Sequence, residues 1–222
     1  MNLCHVGQNG DYIMNEMFCF QCQQTAHNTG CEGKTGVCGK KADTANYQDE
    51  LIGALIGLAR AAENGNPTEK TDELVLKGLF TTITNVNFNN ETIKKLKTEI
   101  EKEKGRISSE HFEDYDMKNI WDAHEDVRSL KSLVLFGIKG MAAYAYHSLV
   151  LGKTDREVTD FFYKALRLIG EDASPDALLE LVMETGKVNF KCMAMLDAAN
   201  TDAYGDPVPT TVPLTIEKGP FI

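Results

Sequence analysis

The sequence predicts a mainly α-helical protein, in which a cysteine-rich loop precedes two units of three helices and the first strands of an α/β domain follow them. Three observations support this. Apolar residues recur at helical spacing from residue 42 to about residue 200. Four of the six cysteines lie in one short stretch ahead of those helices, and the end of the chain combines several prolines with alternating apolar residues.

Composition and charge indicate a globular protein and argue against some classes of binding partner. The 222 residues are 42% hydrophobic and 25% charged, which is ordinary for a globular protein. The net charge of -10 would repel the phosphates of a nucleic acid and an anionic lipid surface, so neither is expected as a partner. The first thirty residues lack a charged and then apolar leader, and no apolar run approaches the length of a membrane span. We therefore expect a cytoplasmic protein.

The first half of the chain divides into three segments. Residues 1–16 are polar and rich in glycine and asparagine without apolar periodicity, so we expect a disordered extension. Residues 17–41 form the cysteine loop. Residues 42–105 then form the first three-helix unit, since apolar residues repeat at helical spacing over 42–64, 69–85 and 91–104, with Gly65, Pro67 and Gly105 as stops.

The second half repeats this pattern after a polar loop over residues 106–126. Helices are expected over 127–151, from the capping box at Thr154 to Gly170, and from Pro175 to about residue 198. Together they form a second three-helix unit over residues 127–200. Thr154 and Glu157 form a capping box for the middle helix, and Ser174 before Pro175 is a favoured start for the last one.

Residues 201–222 predict the start of a truncated α/β domain. Prolines exclude helix there, and Val208, Val212, Leu214 and Ile216 alternate as in a strand, so strand is expected only after about Asn200. A strand at the end of the chain leaves backbone groups unpaired. We therefore expect self-association through this edge.

The clustered cysteines are the main candidate site. Two residues separate Cys19 from Cys22, eight separate Cys22 from Cys31, and six separate Cys31 from Cys38. A reducing compartment favours metal ligation over disulfides. Nearby glycines permit tight turns that direct backbone N–H groups at sulfur. Spacing alone fits an iron-sulfur cluster or a structural Cys4 zinc site, and does not distinguish them.

Other candidate residues have simpler interpretations. Cys192 lies among apolar residues of the last helix and is expected to be a buried, inert thiol. His27 lies between two of the clustered cysteines and is expected to be a polar neighbour rather than a ligand. His124, Glu125 and Asp126 precede a helix, where acidic residues favour the helix dipole.

The residues of several motifs resemble those of one known family. The segments are residues 17–26 (MFCFQCQQTA), 29–31 (TGC), 36–40 (GVCGK), 78–85 (GLFTTITN), 125–130 (EDVRSL), 137–140 (GIKG) and 196–201 (LDAANT). Together they resemble the start of the hybrid-cluster (prismane) proteins, the hydroxylamine reductases, from residue 17 to residue 222.

This resemblance implies a helical start followed by α/β domains that bind a hybrid iron-sulfur-oxygen cluster, where hydroxylamine, and in some members nitric oxide, is reduced. It implies that Cys19, Cys22, Cys31 and Cys38 hold a second cluster that relays electrons from a donor protein. The short gap after Cys22 favours a 4Fe-4S over a 2Fe-2S cluster. The hybrid-cluster ligands would lie beyond residue 222, so we expect no catalytic residue here. The alternative is a non-enzymatic helical module with structural zinc.

Overall fold

The computed structural model describes residues 5–6, 12–13, 16–22, 26–83 and 86–204. Within them the chain forms seven helices: α1 (Ala42–Glu63), α2 (Glu69–Thr81), α3 (Asn90–Ile107), α4 (Lys118–Trp121), α5 (Glu125–Val150), α6 (Arg156–Gly170) and α7 (Pro175–Tyr204). Four short strands precede them: β1 (His5–Val6), β2 (Tyr12–Ile13), β3 (Met17–Cys19) and β4 (Cys31–Gly33). The predicted mainly helical fold, with its cysteine loop ahead of the helices, is confirmed.

Helix α1 is the centre of the structure. Its apolar residues surround the whole helix, and Leu51, Ile52 and Leu55 are completely buried. A helix that is apolar on every side must be covered on every side. Helices α2 and α3 pack on it within the first helix set, β3 crosses it, and α6 packs on it from the second set.

Helices α5, α6 and α7 form the second helix set, with α7 lying along α5. Helix α6 starts one residue later than the predicted capping box, because Asp155 rather than Thr154 is the cap. Its Oδ1 accepts hydrogen bonds from the backbone N of Glu157 at 2.8 Å and of Val158 at 3.2 Å. A carboxylate also favours the positive end of the helix dipole. Ser174 does cap α7, where its hydroxyl accepts from the backbone N of Ala177 at 3.3 Å.

One hydrophobic core runs through both helix sets. Buried residues of α1, α2 and α3 belong to the same cluster as those of α5, α6 and α7. Helix α2 packs against α5, and α1 against α6, so these two contacts join the sets. Side chains near the cysteine loop are therefore supported by elements far apart in the sequence.

Two local predictions are wrong. Strand was expected only after about Asn200, yet β1 pairs with β2 and β3 with β4, both antiparallel, before the first helix. Backbone hydrogen bonds make these strands, and two or three residues are too few to show apolar alternation. The predicted loop over residues 106–126 contains the short helix α4, whose Ile120 is buried.

Two further predictions fall partly or wholly outside the described residues. In the extension over residues 1–16, expected to be disordered, the described pairs His5–Val6 and Tyr12–Ile13 form strands. The predicted strand over 208–216 and the self-association edge lie outside the described part of the chain.

Helix α5 contradicts the expectation that no apolar run approaches the length of a membrane span. It is the one helix, among the residues that the structure describes, that is long and apolar enough to cross a membrane, with a mean hydropathy of 1.3 over its best window. It packs against α2, α6 and α7 in the helical body. Burial accounts for part of its apolar composition, since 44% of that window is buried inside the structure.

Candidate metal centre

The β3–β4 pair brings two of the predicted ligands together. Cys19 lies directly opposite Cys31 in the antiparallel register, and both side chains are buried. Side chains opposite each other in such a pair have Cβ atoms about 4.5–5.5 Å apart. A segment predicted as an irregular loop therefore has a backbone ladder that holds two thiols side by side.

A tight turn over residues 36–40, which contains Cys38, directs a backbone N–H toward the sulfur of Cys31. The Gly36 N–H donates to the Lys40 carbonyl at 2.8 Å and the Gly39 N–H donates to the Gly36 carbonyl at 2.9 Å, which closes the turn. The Val37 N–H donates to Cys31 Sγ at 3.5 Å. Such N–H to sulfur bonds favour the thiolate form that binds metal.

Gly30 is required just before Cys31. Its φ of +116° lies in a region that other residues rarely adopt, and a Cβ there would be 2.5 Å from the Phe18 ring. The chain thus turns closely over Phe18 to enter β4. This packing fixes where Cys31 emerges.

Aromatic side chains cover one side of the cysteine loop. The ring centroids of Phe18 and Phe20 lie 4.8 and 5.3 Å from that of Trp121 on α4. Cys22 borders an adjacent cavity of about 200 Å³, together with Phe20, Trp121 and Arg128. Trp121 lay in a predicted polar loop, so its contribution to the site was missed by sequence reasoning.

The four cysteines are not equally enclosed. Cys22 and Cys38 are half-buried, whereas Cys19 and Cys31 are buried, and each thiol is free. Among the described residues, no three His, Cys, Asp or Glu side chains are grouped closely enough to hold one metal ion. The structure therefore brings Cys19 and Cys31 together and leaves Cys22 and Cys38 at the margins of the same loop.

A network of charged and amide groups, four of them buried and one half-buried, lies beneath this loop. We call it the buried-lysine network, and it consists of Gln21, Lys40, Gln48, Asp49 and Lys139. The Lys139 ammonium, from the middle of α5, donates to Gln21 Oε1, and Gln21 Nε2 donates to Asp49 Oδ1. The Lys40 ammonium donates to Gln48 Oε1 at 2.5 Å. Gln21 lies between Cys19 and Cys22, so the network is attached directly to the loop.

Burial dominates the electrostatics of this network. It lowers the pKa of Lys139 to about 7, although the nearby Asp49 opposes this shift. It raises the pKa of Asp49 to about 6, against the hydrogen bond from Gln21 and the charges of the two lysines. Burial also raises the pKa of Cys19, and the ammonium of Lys40 is the largest opposing influence.

Sequence reasoning gave none of the five network residues a role, although Gln21, Lys40 and Lys139 lie in the segments that resemble the hybrid-cluster family. One signal was available: Lys139 lies in the middle of the most apolar helix in the described part of the chain. A lysine there must be paired or serve a local function. For the other four residues, no local sequence pattern predicts burial.

The other candidate residues behave largely as expected. Cys192 is completely buried, and burial raises the pKa of its thiol to about 12. His27 is exposed with a φ of 55°. His124 immediately precedes α5, and Glu125 and Asp126 occupy the first turn of that helix.

Comparison with known proteins identifies the family of this chain. Residues 17–222 match the Prismane/CO dehydrogenase family, from the start of β3 onward. The chain belongs to the Prismane/CO dehydrogenase family. Its relatives include the hydroxylamine reductases of Desulfitobacterium hafniense, 40% identical, and Caldanaerobacter subterraneus, 42% identical; each alignment covers 93% of this chain and 43% of the relative. The hydroxylamine reductase of Methanococcus vannielii is 40% identical over 91% of this chain and 42% of its own length. The chain thus spans less than half the length of these relatives.

Prismane relatives imply an iron-sulfur cofactor, and the cysteine loop fits one. Four free thiols are available in one loop, and Cys31 Sγ already accepts a backbone N–H. Buried ammonium groups lie nearby, and a cluster bound by thiolates is an anion that they can compensate. The donor set, the N–H group and the nearby positive charge are therefore all suited to an iron-sulfur cluster.

Proposed function

We propose that this chain is the iron-sulfur electron-transfer region of a hydroxylamine reductase, and that Cys19, Cys22, Cys31 and Cys38 bind one cluster. The observation that carries the proposal is the β3–β4 pair, which aligns Cys19 with Cys31 beside the glycine turn leading to Cys38. Membership of the Prismane/CO dehydrogenase family and the hydroxylamine reductase relatives support it.

Each part of the loop has a chemical role in this proposal. Four thiolates hold the cluster, and the Val37 N–H stabilises the charge on Cys31 Sγ. Phe18, Phe20 and Trp121 exclude water from one side, which raises the energetic cost of adding charge. When bound, the cluster supplies a site that accepts and releases one electron at a time.

We propose a 4Fe-4S cluster rather than a 2Fe-2S cluster. The basis is the short spacing between Cys22 and Cys31, together with the resemblance of residues 17–40 to the hybrid-cluster proteins. Iron and sulfide analysis decides between the two, because the four-iron cluster contains twice as much of each.

The chain on its own is proposed to relay electrons without reducing hydroxylamine. Reduction breaks the N–O bond, and NH2OH with two electrons and two protons gives NH3 and H2O. That step needs an open metal position, whereas a cluster with four cysteine ligands has its protein positions filled. We place the step at a hybrid cluster in the remaining part of the full-length protein, with electrons arriving from a cytoplasmic donor protein.

The test is anaerobic reconstitution of the chain with iron and sulfide, compared with zinc loading. We expect a brown protein with stoichiometric iron and sulfide in the wild type and in Cys192→Ser. Cys31→Ser should lose most of the iron, because its thiolate is one of the four proposed ligands. The two variants are matched, since both remove a buried thiol.

Three results would contradict the proposal. The first is unchanged iron and sulfide content in Cys31→Ser. The second is preferential retention of zinc by the colourless wild type, which would favour the structural zinc module. The third is hydroxylamine turnover by the chain alone with a reduced dye, at a rate comparable to the full-length enzyme.

A further inference from the structure

Two lysines beneath the cysteine loop are buried far beyond what is usual for this residue. Lys40 is 2% exposed and Lys139 is 4% exposed. They come from opposite parts of the fold: Lys40 follows Cys38 by two residues, and Lys139 reaches the loop from α5. Burying an ammonium group is costly unless a negative charge compensates it.

The hydrogen-bond partners of these lysines are neutral. Lys40 donates to the amide oxygen of Gln48, and Lys139 donates to the amide oxygen of Gln21 and, at 3.4 Å, to the carbonyl of Thr82. Within the described residues, one carboxylate joins this network, that of Asp49, through Gln21. Two lysines therefore share one carboxylate, and with both lysines protonated the network carries an excess positive charge.

The cysteine thiols are the groups that this excess charge faces. Lys139 donates to the side chain of Gln21, which lies in the segment between Cys19 and Cys22. Lys40 is buried two residues after Cys38. A cluster held by four thiolates is negatively charged, and its charge grows by one on reduction. Positive charge at this position therefore stabilises the reduced form more than the oxidised form.

We propose that Lys139 and Lys40 are positioning residues that compensate the charge of the cysteine-bound cluster and raise its reduction potential. This inference rests on the proposed function. Lys139 has a second role, because its bond to Gln21 ties the segment between Cys19 and Cys22 to α5. The helical body thereby acts on the cluster through a charge and not only through packing.

The chain offers a matched control on the same helix. Lys131 is also buried, at 5% exposed, but its ammonium donates to the backbone carbonyl of Glu171 at 2.7 Å, outside the cysteine loop. Lys139→Met and Lys131→Met remove the same charge and similar volume from α5. Only the first removes charge that faces the cluster.

The experiment is a redox titration of the reconstituted chain, with iron and sulfide content measured in parallel. A unit charge about 10 Å away in an interior of effective dielectric constant ~20 changes an equilibrium constant roughly tenfold. Lys139→Met should therefore disfavour one-electron reduction about tenfold, a potential lower by about 59 mV. Lys40→Met should shift it in the same direction. Lys131 lies eight residues, or about 12 Å, from Lys139 along α5, so Lys131→Met should shift the equilibrium less, by about three- to fourfold.

Further variants separate charge from packing and folding. Lys139→Arg keeps the charge and should keep the potential within about twofold of the wild type. If Lys139→Met fails to fold by circular dichroism, Asp49→Asn remains informative, because removing the negative charge should shift the equilibrium in the opposite direction. An unchanged potential in all charge-removing variants that carry the cluster would overturn the inference, and so would equal shifts in Lys139→Met and Lys139→Arg. Failure of the wild type to take up iron would instead overturn the proposed function.

Discussion

Substituting Gly30 by alanine tests how the cysteine loop is built, because it adds a single methyl group between the loop and Phe18. The new Cβ would lie 2.5 Å from the Phe18 ring, so the ring must move by most of an ångström to reach ordinary contact. Alanine would also adopt a positive φ of 116°. Both effects act on the residue immediately before Cys31.

Gly33 provides the control that separates these two costs. It also has a positive φ, of 83°, but a Cβ there would meet nothing within 4 Å. The conformational cost, about 1–2 kcal/mol, therefore applies to both variants. The displaced ring adds about 1–3 kcal/mol in Gly30→Ala, as is typical of overpacked sites. We expect a loss of about 2–5 kcal/mol for Gly30→Ala and about 1–2 kcal/mol for Gly33→Ala.

Trp121 makes this measurement specific. It is the only tryptophan of the chain and contacts the Phe18 ring, so its fluorescence reports on this side of the loop. Urea unfolding of the cluster-free chain, followed by fluorescence, should show the larger loss for Gly30→Ala, with emission shifted to longer wavelength before unfolding. In the double variant Phe18→Ala/Gly30→Ala, the extra cost should largely disappear. Equal losses for the two glycine variants, or no rescue by Phe18→Ala, would refute the proposed contact.

Two further predictions concern the helical body. Gly53→Ala should destabilise the protein by several kcal/mol, because its Cβ would lie 2.3 Å from the Tyr115 carbonyl oxygen. In the control Gly140→Ala the new Cβ meets nothing, so the free energy of unfolding should rise by up to about 1 kcal/mol. Urea unfolding followed by circular dichroism measures both variants. The raised pKa of Cys192 means that the folded state keeps its proton between pH 9 and about pH 12 while the unfolded state loses it. Stability should therefore fall with rising pH in this window by up to about 1.4 kcal/mol per pH unit more in the wild type than in Cys192→Ala, and parallel pH profiles would contradict this.

The long helices were predictable because each has apolar residues that repeat at helical spacing over several turns. Helix α1 combines an unbroken run of apolar residues with a stop at Gly65, and α7 begins where Ser174 precedes Pro175. The wrong predictions concern elements that are too short to show such a repeat. Helix α4 has four residues, barely one helical period. Strands β3 and β4 have three residues each, fewer than two periods of a strand pattern.

The candidate ligands could be named from the sequence, since cysteine is rare and its spacing is local, and their role as ligands stays a prediction. Cys19, Cys22, Cys31 and Cys38 lie in one stretch, so their association needs no long-range contact. The sequence did not show which thiols are adjacent. That depends on the register of β3 against β4, which sets Cys19 opposite Cys31.

The sequence by itself determined the helical class, the position of the cysteine loop and the resemblance to the hybrid-cluster proteins, because all three depend on patterns within short stretches. Only the tertiary structure decided the charge environment of the loop. Lys139 is 118 residues from Gln21 in the sequence, and their hydrogen bond forms because α5 packs against α2 and brings its buried ammonium beneath the cysteines. Electrostatic interactions depend on distance and burial in space, and neither is encoded locally around the residues that feel the charge.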